Sequence, residues 1–155
     1  MLPKALESVH NQTFKDWECI IIDDGSTDNT KDLIHKWIEN DSRFIYIYQE
    51  NAERSAARNK GIDNANAKYI CFLDSDDYYL PERLNSLHLF ISKSRTPVSL
   101  FFTSIILEKE NTYEKKEYIN INTSIFEYLA LNPIFSQQVC IHSSILEKHK
   151  YNPSI

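Results

Sequence analysis

Only three cysteines occur in the 155 residues, Cys19, Cys71 and Cys140, and no two are spaced as CxxC. Each lies in an apolar segment, so buried thiols in a reducing compartment are expected rather than a disulfide framework or a zinc site. Lys and Arg form no cluster and the formal net charge is -5. That balance argues against a nucleic-acid partner, because binders of the phosphate backbone present a basic face. No apolar run approaches the ~20 residues of a membrane helix, and the N-terminus lacks the basic-then-apolar order of a signal peptide. A cytoplasmic chain is expected. No serine sits in a G-x-S-x-G elbow, and His10, His35, His88, His142 and His149 show no ligand spacing. Repeats and low-complexity tracts are missing as well.

What is present is the composition of one ordinary globular domain, 42% hydrophobic and 25% charged. Leu2, Leu6 and Val9 recur at i, i+4 and i+7, so a short amphipathic helix opens the chain, with Pro3 tolerated in its first turn. Trp17 to Ile22 reads as a buried strand. Asp28 can cap a helix whose apolar face is Leu33, Ile34, Trp37 and Ile38. Phe44 to Tyr48 reads as a strand, Arg54 to Ala67 as an Ala-rich helix, and Tyr69 to Leu73 as a third strand. Strand and helix alternate, which predicts a parallel sheet with crossover helices. Beyond Pro81 a helix exposes Leu84, Leu87 and Ile91 on one face. A strand over Val98 to Leu107, a hairpin or loop over Glu108 to Lys116, a helix over Ser124 to Leu131, a strand over Gln138 to His142 and a helix over Ser144 to His149 complete the pattern.

Two acidic runs follow apolar strands. Cys19-Ile20-Ile21-Ile22 leads into Asp23-Asp24-Gly25-Ser26, and Tyr69-Ile70-Cys71-Phe72-Leu73 leads into Asp74-Ser75-Asp76-Asp77. In an open parallel sheet, ligands bind beyond the carboxyl ends of the strands, so both runs are expected in one crevice. The first run alone reads equally well as a turn and a helix cap. The second is harder to explain structurally, since like charges ~4 Å apart repel by about 4 kcal/mol at an effective dielectric near 20. A divalent cation would offset that cost. An EF-hand loop does not match, because the twelfth place counted from Asp74 is Asn85. Mg2+ or Mn2+ held by one or two carboxylates plus substrate phosphates matches better and implies a nucleotide diphosphate. Between the acids, Asn51 to Ile62 carries Arg54, Arg58 and Lys60, whose charges either face those anions or are solvated on a helix.

Taken together, SVHNQTFKDWECIIIDDGSTDNT and SAARNKGIDNANAKYICFLDSDDYYLPERL closely resemble the inverting, nucleotide-sugar-dependent glycosyltransferases of family 2, which have the α/β, Rossmann-like GT-A fold. The likeness covers nearly all of residues 2 to 92 and is looser beyond residue 97. It implies a nucleotide-binding part over residues 1–95 and a partial acceptor-side part over residues 96–155. It also implies that Asp23 or Asp24 hydrogen-bonds the base, uracil by preference, with Arg58 near the nucleotide. Asp74 and Asp76 match the family's Asp-x-Asp, Asp74 nearer the ribose and Asp76 nearer the diphosphate, and Asp76 with Asp77 would face the metal. The implied partners are a UDP-sugar donor and a glycan or lipid-linked acceptor that the residues do not name. The implied location is the cytoplasm, extending to peripheral contact with the inner face of the membrane.

Relatives in that family begin with a further strand, and they carry a general-base Asp beyond the point matching Ile155. The expectation is therefore a donor-binding part truncated at both ends, without its first strand, and without a catalytic base of its own. General-base catalysis is worth typically 10² to 10⁴ in rate. An inactive nucleotide-sugar or partner-binding remnant is the alternative; a receiver-like signalling domain ranks below both, because no strand after residue 97 ends in the lysine it needs. Strands left without a central neighbour must re-pair, borrow a strand or stay loose, and such edges invite homo-oligomers.

Overall fold

The computed structural model describes residues 1–93, 100–102, 105–109, 112–116 and 139–152. Helix α1 (Leu2–His10) takes Pro3 in its first turn and turns Ala5, Leu6 and Val9 inward. Strand β1 (Cys19–Asp24) pairs parallel with β2 (Phe44–Gln49), in a register that sets Cys19 opposite Phe44 and Asp24 opposite Gln49. The crossover between them is α2 (Thr30–Ile38), whose Ile34 is buried in a cluster with Phe44, Ile21, Leu6, Val9 and Tyr79. Asn29 occupies the cap position of α2, yet it is Asp28 Oδ1 that accepts from the Thr30 N–H, at 3.0 Å. Asp28 thus satisfies one of the donors orphaned at the helix start.

Helix α3 (Glu53–Asn64) packs on β1 and leads to β3 (Tyr69–Cys71). Here antiparallel pairing joins the parallel pairing of β1 with β2. β3 pairs antiparallel with β7 (Val139–His142), which pairs antiparallel on its other side with β4 (Leu100–Phe102). The reason lies in β7: with a partner on each side it buries all four residues, and a Val-Cys-Ile-His segment gains most at a sheet centre. β5 (Ile105–Lys109) and β6 (Thr112–Lys116) pair antiparallel, so β4 and the start of β5 fall within the strand expected over 98–107, and the hairpin or loop expected over 108–116 belongs to a hairpin. Helix α4 (Arg83–Lys93) buries Leu87, and the final helix α5 (Ser143–Leu146) is shorter than the pattern suggested. The helix expected over 124–131 lies outside the described residues. All three cysteines are free, Cys140 buried and the other two half-buried; Cys71 and Cys140 face each other across β3 and β7.

Among the described residues β1 and β3 do not pair with each other. Their side chains line the two walls of one open cleft instead, so Ile20, Ile22 and Ile70 are only half-buried although each belongs to an apolar strand. The cleft is tied at one end by Glu18, just before β1, whose Oε1 accepts from the N–H groups of Asn66 and Ala67, just before β3, at 2.7 and 2.8 Å. At the other end Asp24 holds the start of α3 and Arg58 of the same helix reaches Asp74. β1 and β3 therefore run in the same direction, and both acidic runs stand at the same end.

Gln12 fixes how α1 meets the segment leading into α4. It is fully buried; its Nε2 donates to Ser8 O (2.9 Å) and Leu80 O (2.8 Å), and its Oε1 accepts from Leu84 N (2.9 Å). Beside it, Tyr79 N donates to Ser8 Oγ, and the Tyr79 hydroxyl donates to Phe72 O at 2.7 Å.

Candidate functional site

The site is built where β1 and β3 end. A chain leaving β1 must turn at once toward α2, and Gly25 permits it with φ +79, a conformation that costs other residues dearly. A Cβ at Gly25 would also stand 2.8 Å from Asn51 N. The sharp turn folds Ser26 back so that its N–H donates to Asp23 Oδ1 at 2.9 Å, while the Tyr46 hydroxyl donates to Asp23 Oδ2 at 2.7 Å. Burial of Asp23 opposes its charge, but these donors outweigh it and hold the carboxyl below its ordinary range. Burial, and then the same contact, push the Tyr46 phenol up to about 12.

Asp24 is arranged differently. Its Oδ1 accepts from Gln49 Nε2 (2.7 Å), its direct cross-strand partner, and from Ala52 N (2.9 Å) at the start of α3. Among the described residues its Oδ2 accepts no hydrogen bond. Glu53, the first residue of α3, has φ +71, the one positive φ at a non-glycine residue among those described. Backbone held this way costs of order 1–3 kcal/mol and concentrates at functional sites.

Opposite, Arg58 lies one turn into α3 and its Nη2 stands 3.1 Å from Asp74 Oδ1, with only 16% of its side chain exposed. Its guanidinium carbon lies 5.4 Å from the centre of the Tyr151 ring. Asp76 is exposed; Asp77 is half-buried and closes a turn by donating its N–H to Asp74 O at 3.1 Å.

Asp23, Asp24, Arg54, Arg58, Asp74, Ser75 and Asp76 line one cleft of about 1520 Å³, together with the apolar walls from β1, β3 and α1. Asp77 and Lys60 are not among its lining residues. The described residues contain no group of three His, Cys, Asp or Glu side chains able to hold a metal by themselves. Asp76 and Asp77 supply hard oxygen donors only, a set that suits Mg2+ or Mn2+ when phosphates and water complete the coordination. No described helix is long and apolar enough to cross a membrane.

Sequence reasoning missed Tyr46 and Gln49, which donate to Asp23 and Asp24, Tyr151, whose ring faces the Arg58 guanidinium, and Asn59, which bonds the Tyr151 backbone. Period-two alternation in Phe44 to Tyr48 signals that Tyr46 shares a face with its neighbours two residues away, but the one-residue register that lays it beside Asp23 is not a local property.

The family model described as Glycosyl transferase family 2 matches residues 1–149. A relative in Streptococcus pneumoniae serotype 4, "Glycosyltransferase GlyA", is 35% identical over 137 residues, covering 83% of this chain and 19% of that protein. The "GalNAc(5)-diNAcBac-PP-undecaprenol beta-1,3-glucosyltransferase" of Campylobacter jejuni is 33% identical over 118 residues, 75% of this chain and 37% of that protein. Among solved structures, S. aureus TarS 1-349 in complex with UDP-GlcNAc superimposes with a TM-score of 0.71 at 20% identity, covering 95% of this chain and 43% of that one. The chain spans about a fifth of the first of these relatives and less than half of the other two.

Proposed function

Because this chain belongs to glycosyl transferase family 2 and has the GT-A fold, we propose that its cleft binds the nucleotide diphosphate of a sugar donor, a UDP-sugar, for transfer with inversion at the sugar carbon. One observation carries the reading: acids from the ends of two separate strands, and the Arg58 guanidinium, line the same cleft. Asp24 recognises the base, since its Oδ2 accepts nothing from the described residues and can take an N–H of uracil, while Asp23 is committed to Ser26 and Tyr46 and braces the turn. Arg58 and Asp74 stand as a preformed pair at the nucleotide. Asp76, with Asp77 beside it in sequence, would hold Mg2+ or Mn2+, which when bound would supply positive charge against the diphosphate leaving group. The low-dielectric wall formed by Ile20, Ile22 and Phe72 strengthens each of these interactions.

The acceptor is a glycan or a lipid-linked glycan, met in the cytoplasm or at the inner face of the membrane. Among the described residues β1 pairs with β2 and β3 with β7, each on one side, an arrangement that favours self-association, which sedimentation across a range of protein concentrations would reveal. The donor reading is tested by titrating UDP with and without Mg2+ beside a donor-hydrolysis assay. Metal-dependent UDP binding that falls at least tenfold in Asp24→Asn supports it; no binding under either condition overturns it. Binding without hydrolysis marks a nucleotide-sugar binder that does not turn over.

A further inference from the structure

We infer that Tyr151 is a positioning residue that sets the Arg58 guanidinium against Asp74, and that the side chain of Asn59 locks it in place. Asn59 follows Arg58 in α3 and so points to a different face of the helix, away from the cleft lining. There its amide grips the Tyr151 backbone twice: Asn59 Nδ2 donates to Tyr151 O at 2.8 Å, and Tyr151 N donates to Asn59 Oδ1 at 2.9 Å. That pair of bonds is what a neighbouring strand would offer, supplied by one side chain. Lys150 and Asp63 form an ion pair one turn further along the helix. Held this way, the Tyr151 ring packs edge-on against Phe72 at 5.6 Å and lies 5.4 Å from the Arg58 guanidinium carbon. Tyr151 is not among the lining residues of the cleft whereas Arg58 and Phe72 are, so it acts through them. A segment 92 residues away from Asn59 in sequence is thereby coupled to the pair at the end of β3.

The link to catalysis rests on the donor reading above, and the test separates the two. In the 155-residue chain labelled with ¹⁵N-arginine, the Arg58 Nε–H resonance is followed in Tyr151→Leu, Tyr151→Phe and Asn59→Ala, and each variant is titrated with UDP and Mg2+. Tyr151→Leu and Asn59→Ala are expected to move the Arg58 resonance and weaken UDP about three- to tenfold, the range that loss of a cation–π contact allows. Tyr151→Phe keeps the ring and is expected to match the parent in both. An Arg58 resonance unmoved by Tyr151→Leu in a folded variant overturns the inference. A resonance that moves in a chain that binds no UDP upholds the positioning and defeats the donor reading.

Discussion

Asp23 and Asp24 adjoin in sequence and are held by different partners, because their neighbours across the strand differ. Asp23 is buried with a donor on each oxygen. Tyr46→Phe leaves that carboxylate one donor short, and the expected loss is about 1.5–3 kcal/mol in urea denaturation, the range for hydrogen bonds to charged groups. Gly25→Ala is expected to lose more than about 1 kcal/mol in the same measurement, since alanine resists the positive φ and its methyl would press on Asn51. The acids themselves were legible as a pattern: carboxylates in a row after an apolar strand are costly enough to call for a reason. Their separate partners were not legible, because the Gln49 and Tyr46 contacts depend on the β1–β2 register.

The elements with a clear helical period were readable for the same physical reason that they form. Leu6 and Val9 in α1, Ile34 in α2 and Leu87 in α4 turn inward as their spacing requires. The direction of β7 against β3 was not readable, because an apolar four-residue strand satisfies a parallel or an antiparallel neighbour equally well, and its partner lies some seventy residues away. Gln12 carries a similar lesson: a polar residue at the end of an amphipathic helix looks solvated, yet it is a buried clamp. Gln12→Ala strips Leu80 O and Leu84 N of their partner inside the fold and is expected to lower stability by about 2–3 kcal/mol in thermal or urea unfolding.

For the molecule as a whole, the charge pattern fixes a window of pH. Hydrogen bonds hold Asp23 and Asp28 below their ordinary range, and the Arg43 guanidinium, bonded through two nitrogens, holds Asp41 well below it. A lowered carboxylate contributes stability that is complete above its unfolded value, near 4, and is lost as pH falls through the folded value. The opposite holds for Cys19, which burial pushes from 9.0 up to about 12: its contribution is complete below 9.0 and drains as the pH climbs toward 12. Melting temperature is therefore expected to be flat between about pH 5 and 8 and to fall on both sides. A melting profile that keeps rising below pH 4 would contradict the bonded carboxylates.

Glu18 gives the cleft a fulcrum. Bonded to two successive amides just before β3, it ties the feet of β1 and β3, the strands that carry the acids at their far ends. β1 runs six residues from that foot, about 20 Å, so the bonds of Glu18 at one end and those of Asp24 and Arg58 at the other together hold the two strands at both of their ends. A glutamate at the opposite end from the acids thereby anchors the two strands that carry them.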